Sequence, residues 1–261
     1  MKTINQVRGF SKERFWQVVK RFCILNLKKW LIGFAGGAGI LLIVFLLTSI
    51  ENIINSTPPP TSIAGVGVVG LGLILYKFGG YFLTSGIFNE LGKKGKASQM
   101  LTLPASTFEK FLAGWFLTYF LYTVVVMSLL YIIGLILGVN PILTTLQFSD
   151  STVDASNFYF LDTVLTFTAM HSVFFLGSIY FNGNNFLKTL LAIVLFFIGL
   201  GITTTLIWIF YSGTASDVVQ IQTTLELEPS TTAFYGAFFK IVIAALFLFL
   251  SYRQLQNRQI A

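Results

Sequence analysis

Long apolar runs alternate with shorter polar segments along the whole chain. Each run has between 19 and 27 residues, and about 20 apolar residues in a helix cross the ~30 Å hydrocarbon core of a bilayer. The predicted spans are residues 30–50, 62–87, 111–137, 158–181, 186–211 and 234–252. The pattern therefore predicts an all-α, polytopic membrane protein with six transmembrane helices. The composition agrees, because 55% of the residues are hydrophobic and only 10% are charged.

The basic residues lie almost entirely on alternate connecting segments. If both termini are cytosolic, 15 of the 17 Lys and Arg residues fall on cytosolic segments and none on the outer ones. Basic segments stay in the cytosol when a membrane protein is inserted, so we predict cytosolic N and C termini. Because the charge follows the membrane, the net charge of +7 does not indicate nucleic acid as a partner.

The first 29 residues carry an amphipathic pattern. Phe15, Val18, Val19 and Phe22 form one apolar stripe at helical spacing, and Ser11 precedes them as a candidate N-cap. A basic helix of this kind can lie in the headgroup plane with its apolar face towards the membrane. The alternative is a solvated arm whose charges only fix the topology. We expect an interfacial segment over 1–29, a membrane domain over 30–252 and a cytosolic tail over 253–261.

The segment 88–112 is the long polar stretch that carries basic charge between two apolar runs. Lys93, Lys94 and Lys96 lie close together beside Gly92 and Gly95, which predicts a hydrated cationic loop on the cytosolic side. The alternative is a solvated loop that only directs insertion.

A helix start can be placed within this segment. Ser106 and Glu109 have the spacing of a capping box, in which each side chain bonds the backbone amide of the other residue. Pro104 lacks an amide proton and favours an extended conformation at Leu103. We therefore expect a short cytosolic element that ends near residue 103 and a helix that begins at Ser106 and enters the membrane.

The sequence offers little for catalysis. Cys23 is the single cysteine and His171 the single histidine, which excludes a cysteine metal cluster or an H-E-x-x-H site. Ser172 and Ser178 are candidate nucleophiles for His171, but they lie on the same predicted helix, whereas triads are assembled from separate elements. We expect His171 to be a polar packing residue. The chain has no phosphate-binding P-loop motif, so any ATP is bound by another polypeptide.

Two lysines fall inside predicted spans, Lys77 and Lys240. A charged group at the centre of a membrane helix costs about 2.5–3.5 kcal/mol. Lys77 could line a translocation path or pair with a carboxylate, or it could extend to the cytosolic surface. No carboxylate is expected within the core of a span, so the sequence does not favour proton-coupled transport.

The block F-x-E-L, a short basic loop and L-T-L-P-A-S-T-F-E-K-F, residues 88–111, resembles the cytosolic loop of permease subunits of ABC transporters of the type-2 exporter class, particularly versions common in Bacteroidetes-type bacteria. The basic amphipathic N-terminal segment and six spans fit the same layout. The resemblance implies an inner-membrane permease subunit that pairs with a second permease subunit. It also implies a coupling helix in 88–112 that docks onto a separate ATP-binding cassette subunit, which holds ATP and Mg²⁺.

Under this resemblance, specific residues of the loop are expected to bind the partner. Gln99, Met100, Leu101 and Leu103 would meet the ATPase. The three loop lysines would lie against anionic headgroups or acidic residues of the partner, and Glu109 would cap a rigid joint to the membrane helix. A membrane scaffold or assembly factor without transport activity is the alternative function.

Overall fold

The computed structural model describes residues 9–54, 63–92, 100, 102–136, 156–212 and 229–260. The described residues are helical with short turns and contain no strand. The helices are α1 Lys12–Ile54, α2 Ile63–Gly86, α3 Thr107–Trp115, α4 Tyr122–Ile136, α5 Ser156–Tyr180, α6 Asn185–Ser212 and α7 Pro229–Ile260. A 3₁₀ turn covers Asn89–Gly92, and a π-helical segment, Phe116–Leu121, joins α3 to α4. Six of the resulting continuous helices are long and apolar enough to cross a membrane.

The first and last helices extend well beyond the predicted spans. Helix α1 has 43 residues, which corresponds to about 65 Å, twice the thickness of the hydrocarbon core. It runs without a break across the expected boundary between residues 29 and 30. Helix α7 continues to Ile260, so the predicted tail after residue 252 is helical. Apolar composition marks the part of a helix inside the membrane, but it does not mark where the helix ends.

The interior of the bundle is aromatic. Tyr76 and Tyr81 of α2, Tyr122 of α4 and Phe167 and Phe174 of α5 are all buried and pack on one another. Stacked or tilted rings stabilise such a cluster beyond the area that they bury.

Glycines of α2 allow this close packing. A Cβ at Gly80 would lie 2.5 Å from the Phe167 ring and 2.8 Å from the Tyr122 ring, and one at Gly79 would lie 2.8 Å from Tyr122 Oη. Small residues are typical of such contacts between membrane helices.

Helix α6 lies at the edge of the bundle. Every residue from 191 to 211 is exposed except Ile193, which is partly exposed. An apolar helix that is exposed on nearly all sides requires an apolar solvent, which supports the six-span membrane prediction.

Candidate functional site at the charged end of the bundle

The start of α1 packs against the bundle through its apolar stripe. Phe15, Val18, Val19 and Phe22 are between 1% and 9% exposed. They join a core with residues from the turns and the other helices: Ile87, Phe88, Leu91, Met100, Ala113, Leu117, Phe175, Ile179 and Leu255. The periodicity predicts the buried face correctly. The expected orientation is wrong, however, because this face contacts protein and is not directed to the membrane surface.

Glu109 connects three parts of the chain at this end. Its Oε1 accepts the Ser11 amide at 2.7 Å and the Arg14 Nη2 and Nε at 3.1 and 3.3 Å. Its Oε2 accepts the Ser106 amide at 2.7 Å. The side chain is fully buried. We call Ser11, Arg14, Ser106 and Glu109 the Glu109 joint. These hydrogen bonds offset the free-energy cost of removing the Glu109 carboxylate from water. Removing one of the partners is therefore expected to destabilise the folded state.

The local sequence explains how Glu109 reaches this position. The Ser106 Oγ accepts the Glu109 amide at 3.1 Å, which completes the predicted capping box and begins α3 at Thr107. The box confirms the sequence prediction. The cap fixes the Glu109 side chain at the first turn of α3, where its second oxygen can meet the start of α1.

A second ion pair holds α1 further along its length. Arg21 Nη2 lies 3.0 Å from Glu90 Oε2, and Glu90 belongs to the 3₁₀ turn after α2. Arg14 and Arg21 are seven residues apart, so they project from the same side of α1. The buried stripe belongs to the same stretch of α1 as these two arginines. Helix α1 is therefore attached to both ends of the connector between α2 and α3.

The connector residues predicted to bind a partner fall into two groups. Met100 is 1% exposed and belongs to the core of this chain, and Leu103 packs against the same core while remaining partly exposed. Glu109 is buried in its joint. Lys93, Lys94, Lys96, Gln99 and Leu101 lie outside the described residues, and their role stays a prediction.

The turn between α5 and α6 lies at the same end of the bundle as the ion pairs of Arg14 and Arg21, which we call the charged end. Gly183 and Asn184 both have positive φ, +73° and +50°, so the four-residue turn over 181–184 is tight. Arg258 of α7 donates to the Asn182 Oδ1 and to the Tyr180 carbonyl, at 3.0 and 2.7 Å. The end of α7 is thereby attached to the turn.

His171 makes a polar contact within the bundle. Its Nε2 lies 3.0 Å from the Thr118 Oγ1, in the π-helical segment, and both residues are 1% exposed. Ser172 and Ser178 instead donate to backbone carbonyls of their own helix. The arrangement is that of a packing histidine, as expected. Among the residues that the structure describes, no group of three His, Cys, Asp or Glu side chains could hold a metal ion.

The two lysines within the predicted spans, Lys77 and Lys240, differ in their polar partners. Lys240 of α7 forms an ion pair with Asp162 of α5, a carboxylate that lies at the end of its candidate span and not in its core. Lys77 is partly buried in α2, and in the described part of the chain its ammonium group has no hydrogen bond or ion pair. The role of Lys77 on a translocation path stays a prediction.

Comparison with known protein families, with curated proteins and with solved structures finds no match for this chain.

Arg14, Arg21 and Glu90 were not among the residues predicted for the site, because the sequence indicates the two arginines only as charges that set topology and Glu90 only as part of the F-x-E-L motif. Two arginines seven residues apart, flanking an apolar stripe, are a signal that this face of α1 meets acidic residues of the protein. Glu90 and Glu109 were available as partners, one on each side of the loop. Which arginine meets which glutamate depends on the direction in which α1 crosses the connector, and the sequence does not contain that information.

Proposed function

We propose that this chain is the membrane-spanning permease subunit of an ATP-driven ABC exporter in a bacterial inner membrane. It would form the translocation path with a second permease subunit and dock onto a separate ATP-binding subunit through the connector between α2 and α3. The resemblance of residues 88–111 to such loops supports this proposal, together with the six candidate spans.

The Glu109 joint is the observation that carries the proposal. A connector that transmits movement from an ATPase must be joined stiffly to the membrane helices, because slack would absorb the movement. Glu109 bonds the helix α3 that enters the membrane, and it also bonds the first residues of α1. A displacement of the connector would therefore move two spans together.

The basic part of the connector is the proposed contact surface. On one side of it Leu91 is 9% exposed, and on the other side Met100 is 1% exposed, so both flanking positions are anchored in the core. We propose that Lys93, Lys94 and Lys96, with Gln99, Leu101 and Leu103, meet acidic and apolar groups of the ATPase. Met100 and Glu109 would hold this surface in place through their buried contacts within the chain.

Affinity purification of the full chain from its native membranes tests the proposal. We expect a P-loop ATPase to copurify in stoichiometric amount and to hydrolyse ATP. Replacing Lys93, Lys94 and Lys96 together by Gln should lower the recovered ATPase several-fold. The matched control replaces Lys12, Lys20 and Lys28 by Gln, which removes the same charge from exposed positions of α1, and it should retain the ATPase.

A complex without any ATPase, or equal recovery with both triple variants, would contradict the proposed docking. A stable complex with other membrane proteins and no ATP hydrolysis would instead favour the scaffold function.

A further inference from the structure

A cavity of about 250 Å³ lies between α1 and the end of α2, at the charged end of the bundle. Its polar lining comes from Asn26 and Lys29 of α1 and from Asn89 and Glu90 of the 3₁₀ turn. Its apolar lining comes from Phe22, Leu25, Gly86 and Ile87. The cavity lining is thus part polar and part apolar, and it lies beside the predicted start of the first span at residue 30.

The polar groups of the cavity retain unused hydrogen-bonding capacity. The Asn26 amide donates to the Phe22 carbonyl at 3.0 Å, which uses one of its two N–H groups. The second Asn26 N–H and the Lys29 ammonium group can donate to a ligand in the cavity.

The surrounding charge favours an anion. Glu90 is already paired with Arg21, whose Nη1 is buried and has no hydrogen-bond partner among the described residues. Lys29 adds a further positive charge at the cavity wall. Arg21, Glu90 and Lys29 together leave one positive charge, which a single phosphodiester would neutralise.

We propose that this cavity binds the headgroup of an anionic phospholipid such as phosphatidylglycerol. Lys29 and the free Asn26 N–H bind the phosphodiester. The acyl chains lie along the apolar side of the cavity, where Leu25 is 47% exposed. Basic pockets between spans near the membrane surface are suited to anionic headgroups. The site does not depend on an ATPase or on transport.

Native mass spectrometry of the purified protein, with added phosphatidylglycerol, phosphatidylethanolamine or phosphatidylcholine, tests this proposal. We expect phosphatidylglycerol to bind more tightly than either zwitterionic lipid. Lys29→Gln should weaken phosphatidylglycerol binding about fivefold, as expected for loss of one basic residue near the membrane surface. Lys28→Gln is the matched control, because Lys28 is also exposed but does not line the cavity, and it should bind as the original chain does.

Equal weakening by Lys28→Gln and Lys29→Gln would show that the charges act non-specifically, and this would overturn the proposal. Inorganic phosphate at millimolar concentration should not displace the lipid. Displacement would show that the cavity takes a free anion.

The unsubstituted protein provides a second measurement that needs no variant. Phosphatidylglycerol should raise its melting temperature more than phosphatidylcholine does, since a ligand that binds only the folded state stabilises it. Equal shifts with both lipids would also overturn the proposal.

Discussion

Lys240 on α7 and Asp162 on α5 form an ion pair that joins two of the candidate membrane-spanning helices. The side chains are 26% and 44% exposed within this chain, so neither is sealed in the core. Asp162 lies at the end of its span that is remote from the charged end. An ammonium group placed within a span is expensive unless it has a partner or reaches water, and Asp162 provides that partner.

Asp162→Asn should therefore destabilise the protein by about 1–2 kcal/mol, because it leaves Lys240 without its counter-charge. The measurement is the free energy of unfolding in mixed micelles, with a double-mutant cycle that includes Lys240→Met. Removing both charges should recover most of the loss. Additive effects of the two substitutions would show that the pair contributes no coupling energy.

Glu109→Ala should destabilise the protein by about 3 kcal/mol, since Arg14 and two backbone amides lose their acceptor. The free energy of unfolding in mixed micelles measures this loss. Limited proteolysis should show that the start of α1 becomes accessible to the protease. Glu13→Ala is the control, because Glu13 is an exposed carboxylate in the first turn of α1 and should change stability by no more than about 0.5 kcal/mol. If the two variants lose equal stability, the Glu109 joint contributes no more to the free energy of unfolding than an exposed carboxylate does.

Gly80→Ala should destabilise the bundle by about 1–3 kcal/mol, because the added Cβ would overlap the Phe167 and Tyr122 rings. Gly70→Ala tests the same change in the same helix at a position with no atom within 4 Å. There the substitution should be neutral or should stabilise by up to about 1 kcal/mol through helix propensity. Thermal unfolding of the two variants separates the effect of steric overlap at position 80 from the effect of helix propensity.

Thr118→Val should cost about 1–3 kcal/mol, since the buried His171 Nε2 would lose its hydrogen-bond partner. The matched control is Thr203→Val in α6, where the threonine is exposed and bonds only the Gly199 carbonyl of its own helix. That change should stay within about 0.5 kcal/mol. Equal stabilities would mean that the His171 contact makes no net contribution.

Labelling with a membrane-impermeant maleimide tests the orientation. After Cys23, the only cysteine, is replaced by Ser, a cysteine introduced by Lys94→Cys should react only once the membrane is opened. A cysteine introduced by Ser216→Cys, in the acidic segment before α7, should react in intact cells. These outcomes follow from the distribution of Lys and Arg. The reverse pattern would remove the basis of the proposed docking to a cytosolic ATPase.

The sequence by itself determined the number of candidate spans, the buried face at the start of α1 and the capping box at Ser106. Each of these depends on residues that are close in the chain. The number of candidate spans follows from apolar length, the buried face from helical periodicity, and the capping box from the chemistry of a few adjacent side chains.

Only the tertiary structure decided which distant groups meet. The stripe on α1 is buried by protein, Arg14 bonds Glu109, and Lys240 pairs with Asp162, across separations of 95 and 78 residues in the two pairs. Such contacts depend on the crossing positions of helices, which side-chain packing sets across the whole bundle. An amphipathic pattern shows that one face of a helix must be shielded from water. Lipid and protein shield an apolar face equally well, so the pattern alone could not distinguish the two.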